Sequence, residues 1–343
     1  MSRRRSGRAG CRLLFCVVTG IPVLVSMAAA SLTGSYGIEL AYDDNPFKLS
    51  GTDLVEFRRS VNPARLPFRT ADDLDVQSHA RLAWRFNPTG RVILSTRLHQ
   101  YLSNWQKSYG VGRVEVEQRL GRQATLTASC VFMPDYLIRY YRNAKTADTG
   151  DYAACRFSEL LPGLVLQATL GPLRLQPGYR FELDDYVSEF DHYDTRIHRP
   201  GAVVAWSPVA SFTVLAGYEY ALARARGPTP DISHVEHALE ATLTTRPERR
   251  PELFIAGKYA HTRRGYTTTD AGADPAHAGR RDVIESAGLE AGYDFGRAEL
   301  RAGYEFEWRS VSSPFRSAIE DVKEYQRSRV TLGVVVRPGR KGR

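Results

Sequence analysis

The fold class of this chain is decided by a stretch near its end, which reads Ala298-Glu299-Leu300-Arg301-Ala302-Gly303-Tyr304-Glu305-Phe306-Glu307-Trp308-Arg309. Apolar side chains fill the even positions, and charged side chains or glycine fill the odd ones. Because successive side chains of a β-strand point to opposite faces, this stretch has one apolar wall and one charged wall. Residues 91–101 and 113–120 alternate in the same way. The pattern predicts an all-β protein.

Such alternation fits two architectures, a soluble sandwich and a membrane-spanning barrel. A sandwich buries its apolar wall against a second sheet and leaves the other wall in water. A transmembrane barrel turns its apolar wall to lipid and its polar wall to the interior. The export signal, the length of the segments and the rhythm of the turns separate the two, and all three favour the barrel.

The first 30 residues have the layout of a secretory signal peptide. Five arginines and no acid occur among the first twelve residues, an apolar run follows at 13–25, and small residues occupy 28–31. This order of basic, apolar and small residues is typical of a cleaved export signal. The alternative is a single membrane anchor, but the apolar run is shorter than the roughly 20 residues that a spanning helix needs. We therefore predict a signal peptide over residues 1–30.

The rest of the chain divides into about fourteen segments of strand length, joined by connections that alternate between short and long. Bacterial single-chain barrels have an even number of strands, short periplasmic turns and longer outer loops. We predict a transmembrane up-and-down antiparallel β-barrel over residues 31–337, followed by a basic tail at 338–343. The candidate strands are residues 35–43, 75–86, 91–101, 111–120, 123–133, 152–170, 173–185, 193–206, 211–222, 233–245, 252–263, 283–295, 297–309 and 325–337.

One candidate strand, residues 152–170, breaks the alternation. Its polar face begins on even positions, with Arg156 and Ser158, and ends on odd positions, with Gln167 and Thr169. The change falls at 161–163, where a proline and a glycine stand together. Because a true turn there would make the strand count odd, we predict a β-bulge at this point.

Composition agrees with a barrel of one domain. The chain is 43% hydrophobic and its mean hydropathy is −0.36, which is too polar for a helical membrane protein. A transmembrane barrel is this polar because only alternate residues meet lipid. The formal net charge is +9, part of which belongs to the signal peptide and the tail. A basic chain also suggests nucleic acid as a partner, but an exported barrel leaves little room for it, and we expect none.

The export signal, the alternating strands and the turn rhythm resemble the single-chain outer-membrane β-barrels of Gram-negative bacteria over the whole mature chain. The tract 41–47, which reads AYDDNPF, is similar to the first strand and loop of several uncharacterised exported barrels. The resemblance implies residence in the outer membrane, contact with its lipid and insertion by the barrel-assembly machinery. Many such barrels end in an aromatic residue, whereas here Val336 is followed by Arg337 and Pro338. Recognition by that machinery is then expected to rest on an internal strand.

If the apolar wall meets lipid, the other wall lines the interior. The earlier strands contribute mostly basic residues to it, and the later strands mostly acidic ones. The predicted basic lining is Arg81, Arg85, Arg91, Arg97, Arg113, Arg119, Arg174, Arg180 and Arg196. The predicted acidic lining is Glu219, Glu240, Glu290, Asp294, Glu299, Glu305 and Glu307. Opposed walls of this kind resemble the transverse field of general porins.

An open pore is one outcome of such a lining, and a core plugged by mutual ion pairs is the other. About eight strands already enclose only enough room for side chains, so about fourteen should leave a pore. Arginine binds carboxylates in a forked geometry. We therefore predict a porin-like channel for small hydrophilic or anionic solutes, with saccharide uptake or export as one option for its transport role. A closed structural or partner-binding barrel without conductance is the alternative.

The sequence offers little enzymatic chemistry. Asp191 and His192 lie near a predicted loop end and leave a rim hydrolase as a remote alternative. The cysteine and acidic spacings of zinc and calcium sites are missing, and so is a phosphate-binding glycine loop. We expect a non-enzymatic protein without metal or cofactor, and the oligomeric state is left open.

Two cysteines remain after the signal peptide, Cys130 and Cys155. The strand map places both on the outward face of neighbouring strands and directly across from each other. Because the periplasm is oxidising, a cross-strand disulfide is one expectation. Two free thiols are the alternative.

Overall fold

Fourteen antiparallel strands close into one barrel in the computed structural model, which describes residues 31–143, 145–146, 150–227 and 230–337. Each strand pairs with its neighbours in the chain, and β1 closes the ring by pairing with β14. The prediction of an up-and-down antiparallel barrel of about fourteen strands is confirmed. The predicted signal peptide and the predicted tail lie outside the described residues.

The strands run between bounds close to those predicted, with short helices in the loops. The strands are β1 (Ser31–Asp43), β2 (Asp73–Arg85), β3 (Gly90–Tyr101), β4 (Tyr109–Arg119), β5 (Ala124–Arg142), β6 (Tyr152–Leu170), β7 (Leu173–Tyr186), β8 (Thr195–Val209), β9 (Phe212–Ala225), β10 (His234–Thr245), β11 (Leu253–Tyr266), β12 (Arg281–Asp294), β13 (Ala298–Ser312) and β14 (Tyr325–Val336). The helices are α1 (Gly51–Arg58), α2 (Glu320–Lys323) and the 3₁₀ turns Trp105–Lys107, Ser188–Tyr193 and Ser317–Ile319. None of the described helices is long and apolar enough to cross a membrane.

The connections at one end of the barrel are short, and those at the other end are mostly long. The short ones are 86–89, 120–123, 171–172, 210–211, 246–252 and 295–297. In three of them a glycine takes a backbone conformation that other residues rarely adopt, with φ of 116° at Gly121, 60° at Gly171 and 87° at Gly296. Barrels of this class keep short turns in the periplasm. The end with the long loops is therefore the extracellular end.

The outer wall of the barrel is apolar through the middle of its strands. Soluble monomers rarely expose a continuous apolar surface of this extent, so lipid has to cover it. Because the chain is closed into a ring, every strand also has both neighbours for its backbone hydrogen bonds, as a bilayer requires. Exposed apolar side chains include Ile38, Leu82, Leu94, Val116, Leu164, Val204, Tyr218, Leu239, Ile255, Leu289, Leu300 and Leu332.

The irregular pairing expected in β6 lies instead on its neighbour β5. The sequence predicts that the fifth strand ends at Met133, but β5 continues to Arg142. Its register against β6 shifts twice, between Met133 and Tyr136 and between Leu137 and Arg139. Residues 161–163 of β6 pair with 129–131 of β5 without a shift. The predicted bulge at 161–163 is wrong, and the extra residues belong to β5.

The apparent change of face in β6 has a local cause. Glu159 and Gln167, both odd, contact inward-facing groups of β7, so β6 keeps one inward face along its length. Arg156 and Ser158 face outward, where both bind Asp135 at the irregular part of β5. Polar residues on the outward face near the extracellular end produced the misleading pattern.

The first long connection, residues 44–72, folds back against the barrel, and we call it loop L1. Its residues Phe47, Leu49, Leu66 and Phe68 form a buried cluster with Leu137 of β5. Helix α1 begins within this loop. Its N-terminus is closed by a reciprocal capping box, in which the Ser50 side chain accepts from the Asp53 amide and the Asp53 carboxylate accepts from the Ser50 amide. The sequence predicts only a long loop here, whereas L1 has a core of its own.

Candidate functional site: the barrel interior

The inward face of the strands carries almost all of the predicted lining residues. Their orientation follows from alternation with the exposed apolar side chains of the same strands. The inward basic residues from the predicted set are Arg81, Arg85, Arg91, Arg97, Arg113, Arg119, Arg174 and Arg180. The inward acidic residues are Glu219, Glu240, Glu290, Asp294, Glu299, Glu305 and Glu307.

Arg196 is the exception, because it lies on the outer wall. On β8 the exposed apolar side chains Val204 and Trp206 occupy even positions, and Arg196 shares their parity without a register shift between them. Its placement in the lining is therefore wrong. Arg199 faces inward in its place. The parity of Val204 and Trp206 is the sequence signal that identifies Arg199.

Arg199 gathers carboxylates from three strands. Its Nε donates to Glu182 at 2.7 Å, and its Nη1 donates to Glu219 at 3.1 Å and to Glu236 at 3.2 Å. Glu182 also lies within 4.8 Å of the carboxylates of Glu159 and Asp184. The wall formed by β6–β8 is thus rich in acids, whereas the sequence predicts mostly basic residues there.

Most charges of the lining are neutralised within one wall. Ion pairs join Arg91 to Glu117, Arg113 to Glu115, Arg180 to Glu219, Lys258 to Glu290, Arg301 to Glu299, Arg309 to Asp282 and Arg327 to Asp43. Extensive pairing is what the alternative of a plugged core requires. The pairs also show how fourteen strands hold so many charges in one interior.

Some lining charges are not neutralised by any described residue. Five guanidinium groups on β2, β3, β4 and β7 make no ion pair or side-chain hydrogen bond with another described side chain, and neither do four carboxylates on β1, β6, β10 and β13. These residues are Arg81, Arg85, Arg97, Arg119 and Arg174 on the basic side, and Glu39, Glu159, Glu240 and Glu305 on the acidic side. The unneutralised charge is therefore basic on β2–β4 and largely acidic across the barrel.

The middle of the barrel is open. A cavity of about 400 Å³ reaches from Arg97 on β3 to Glu240 on β10 and Glu305 on β13. All three side chains are exposed although they point into the barrel. A second cavity of about 300 Å³ lies at the periplasmic end, lined by Arg85 and Arg119 among others. Free charges of the lining thus border accessible space.

The extracellular end of the interior is closely packed instead. Asp43 and Asp75 are each only 1% exposed. Arg327 donates to Asp43 at 3.0 Å, and Arg329 donates to Asp75 at 3.2 Å. The Nδ1 atom of His99 lies 2.8 Å from the same Asp75 carboxylate. Paired charges therefore fill the interior at this level, and the open space narrows toward the long loops.

Loop L1 lies over this packed level and is tied to opposite sides of the barrel. The buried Asp53 carboxylate holds Arg65 of the loop and Arg139 of β5, with the Arg139 contact at 3.0 Å. Arg139 Nε also donates to the Phe47 carbonyl at 2.8 Å. On the other side, Lys48 pairs with Glu307 of β13 at 2.7 Å. Loop L1 therefore crosses the extracellular mouth as a strap.

The buried Lys107 joins loop L1 to the irregular part of β5. Lys107 Nζ donates to the Leu137 carbonyl at 2.6 Å and to the Tyr136 hydroxyl at 3.0 Å. It also lies 5.5 Å from the ring centroid of Phe47 in loop L1. Burial lowers the pKa of Lys107 well below the ordinary value of a lysine. The sequence contains no periodic signal for this residue, because it stands in a loop.

The two cysteines are free, and they do not face each other. Cys130 on β5 pairs in register with Pro162, while Cys155 on β6 pairs with Arg139. Cys155 is buried and only 1% exposed, on the inward face. The predicted pairing directly across the two strands is wrong, because β5 is longer than predicted and its bulges shift the register.

The residues considered for a rim hydrolase are engaged separately. Asp191 accepts from Lys145 Nζ at 3.2 Å. The His192 ring lies 4.1 Å from the Tyr193 ring, and burial lowers the pKa of His192. Within the described residues, no hydrogen bond joins Asp191 to His192.

Comparison with known proteins relates this chain to others through structure. No protein-family model matches the sequence, and no curated protein matches it. The outer membrane channel DcaP of Acinetobacter baumannii matches with a TM-score of 0.50 and 12% identity, over 90% of this chain and 96% of that one. At this identity the likeness shows a shared fold. An anion-selective porin from Comamonas acidovorans matches with a TM-score of 0.44 and 10% identity, over 90% of this chain and 99% of that one.

Closure into a ring, an exposed apolar outer wall and the fold shared with an outer membrane channel agree with one another. Strands that meet lipid on one side and enclose a charged interior on the other are the signature of bacterial outer-membrane barrels. The chain is a single-chain β-barrel of the outer membrane.

Proposed function

We propose that this barrel is a channel for small hydrophilic solutes, with a preference for anions. The observation that carries the proposal is the exposure of inward-pointing charged side chains in the middle of the barrel, among them Arg81, Arg97 and Glu240. Charges on opposite walls polarise the water between them and admit polar solutes, because ring charges and pore width set selectivity in channels.

The preference for anions rests on the balance of free charges. Arg81, Arg85 and Arg97 have no described carboxylate partner, and Arg119 and Arg174 continue the basic wall toward the periplasm. A guanidinium group binds carboxylates and phosphates with two parallel hydrogen bonds. Acidic saccharides, which carry one carboxylate on a polar ring, fit this chemistry. Such a solute makes saccharide uptake or export the class of transport that we favour.

Loop L1 is the element that regulates passage in this proposal. It crosses the extracellular mouth and is held by ion pairs at its two sides. The Lys48–Glu307 pair is partly exposed, and exposed ion pairs contribute little to stability, whereas the Asp53 carboxylate is buried. We infer that the strap opens when the contacts of Asp53 and Lys48 break, and that the open middle of the barrel then joins the outside.

The second candidate is a closed barrel with a structural or partner-binding role. The packed extracellular end favours it, because Asp43, Asp75 and loop L1 occupy the level through which a solute has to pass. It differs from the channel in one respect, namely that no solute crosses the folded barrel.

Solute entry into proteoliposomes separates these candidates. The test compares labelled galacturonate with labelled galactose, two sugars of the same ring that differ in a carboxylate. A channel with anion preference admits galacturonate faster, and Arg81→Gln with Arg97→Gln reduces the ratio. Equal entry of both sugars contradicts the anion preference. Entry of neither sugar contradicts the channel and supports the closed barrel.

We propose that the protein is not an enzyme and uses no cofactor. The polar residues at the rim are held in unrelated contacts, as Asp191 and His192 illustrate. If a hydrolytic activity were found, Asp191→Ala and His192→Ala would test whether these residues catalyse it. Unchanged turnover in both variants would exclude a catalytic role for them.

A further inference from the structure

Arginines interrupt the apolar outer wall at the extracellular ends of β8, β9, β11 and β12. The residues are Arg196, Arg224, Arg263 and Arg281, and we call them the outer arc. Each shares the parity of exposed apolar side chains on its own strand, such as Trp206 on β8 and Leu289 on β12, so each points away from the barrel interior. All four side chains belong to exposed residues.

The outer arc is not neutralised by a contact within the described protein. Its four guanidinium groups make no ion pair or hydrogen bond with any described residue. Arg196 and Arg224 are also direct partners in the register of β8 and β9. Like charges placed directly across two strands destabilise the pair. This arrangement therefore calls for an anion from outside the chain.

Acids stand at outward positions beside the arc, Asp185 of β7 and Glu285 of β12, but neither makes an ion pair with one of its arginines. Glu285 accepts from the Tyr259 hydroxyl at 2.8 Å and lies 3.2 Å from His261 Nδ1. On the adjacent strands β13 and β14, the outward positions near the extracellular end are uncharged, as with Ser310 and Ser328. The unpaired outward basic charge is thus concentrated on β8, β9, β11 and β12.

The depth of the outer arc matches the head groups of the lipid. Below it on the same strands, the apolar wall carries the exposed rings of Tyr218 on β9 and Tyr259 on β11, and the Tyr218 hydroxyl lies 2.8 Å from His237 Nδ1. Amphipathic rings of this kind sit at the membrane interface. Arg263 follows Tyr259 by four residues, about 13 Å along the strand. Arginines at that distance lie beyond the hydrocarbon, where charge is tolerated.

We propose that the outer arc binds the phosphate groups of anionic lipids in the outer leaflet of the membrane. Clustered arginines at a membrane surface attract lipid phosphates electrostatically, and the forked guanidinium group adds directed hydrogen bonds. The bound lipid neutralises the Arg196–Arg224 pair and fixes one side of the barrel in the leaflet. The site is separate from the interior, so lipid binding by the outer arc can be tested independently of conduction.

Native mass spectrometry of the folded barrel in detergent tests the proposal, with bisphosphorylated lipid A as the probe. The unaltered barrel is expected to bind it, and Arg196→Gln with Arg224→Gln to weaken binding about tenfold or more. The matched control is Arg249→Gln with Arg250→Gln, which removes the same charge from the exposed periplasmic turn between β10 and β11. This control is expected to bind like the unaltered barrel.

Two further comparisons make the result specific to phosphate and to charge. Monophosphorylated lipid A with the same acyl chains is expected to bind more weakly than the bisphosphorylated form. Arg196→Lys with Arg224→Lys keeps the charge and is expected to bind more like the unaltered barrel than like the glutamine variant. Heat-modifiable mobility in gel electrophoresis verifies that each variant is folded. Equal binding by the glutamine variant and its control, or equal binding of both lipids, overturns the proposal.

Discussion

At the scale of single residues, one strand shows both the strength and the limit of reading faces from alternation. Arg196 and Arg199 lie three positions apart on β8, so they face opposite sides. Their segment is polar on both faces, and the sequence gives no local reason to choose between them. Only Val204 and Trp206, further along the strand, fix the parity. The lining could therefore be predicted where apolar residues alternate cleanly, and not where both faces are polar.

The orientation of β8 makes opposite predictions for these two arginines. Replacing Arg199 by methionine leaves the carboxylates of Glu182, Glu219 and Glu236 without their shared partner. Breaking a buried ion pair from one side costs roughly 3 kcal/mol or more, so Arg199→Met should lower the free energy of unfolding by about that amount. Arg196→Met should change it by less than about 0.5 kcal/mol, as for an exposed site. Urea unfolding in detergent measures both, and equal effects would contradict the assigned faces.

Lys107 predicts a dependence of stability on pH. Burial lowers its pKa in the folded barrel, whereas the unfolded chain has an ordinary lysine with a pKa near 10.4. Between these two values the unfolded state binds the extra proton, so the free energy of unfolding rises as pH increases through that interval. Lys107→Met should remove this rise, while the exposed control Lys145→Met should retain it. Identical pH profiles in all three proteins, measured by urea unfolding, would contradict the burial of Lys107.

At the scale of elements, the strands were predictable and the loops were not. A strand can be recognised in the sequence because its two faces meet different surroundings, so apolar and polar side chains alternate with a period of two residues. Strand β5 ran past its predicted end because its last residues, around Leu137, pack against loop L1 instead of lipid, so they lack the alternation that lipid imposes. Loop L1 likewise has no period, and its inward fold depends on partners on β5 and β13 far away in the sequence.

The contacts of loop L1 predict that the strap can be loosened by one substitution. Asp53→Asn weakens the hold on both Arg65 and Arg139, so the loop should leave the mouth more often. Mean conductance in planar bilayers is expected to rise, with more frequent transitions between levels. The matched control is Glu56→Gln, because Glu56 also binds Arg65 but makes no ion pair or hydrogen bond with the described residues of β5. A rise of equal size in both variants would show that the link to β5 is irrelevant to gating.

At the scale of the whole molecule, closure of the barrel follows from the sum of weak local signals. No single strand identifies a membrane barrel, but an even number of alternating segments with alternating turn lengths does. The division of the interior into an open middle and a packed extracellular end could not be predicted from the sequence. It depends on which inward charges find partners on strands far apart in the sequence, as Arg327 of β14 does with Asp43 of β1, and such pairs form only once the ring is closed.

Closure of the barrel places unpaired basic and acidic side chains on opposite walls of the open middle, which no single strand can do. Arg81 and Arg97 stand free on one wall, and Glu240 and Glu305 stand free on the other. Reversing the charge of the first pair leaves the ion pairs of the lining untouched. The variant Arg81→Glu with Arg97→Glu should therefore fold normally and differ only in the solutes that it passes.

The most direct test is the reversal potential of single channels in planar bilayers, under a KCl gradient of about tenfold, for the unaltered barrel and for this variant. Discrete current steps are expected in both proteins, with anion preference in the unaltered barrel and a clear move of the reversal potential toward cation preference in the variant. An absence of steps from the folded barrel, including the Asp53→Asn form, would contradict a conducting interior. Identical reversal potentials would contradict the role given to the arginine wall.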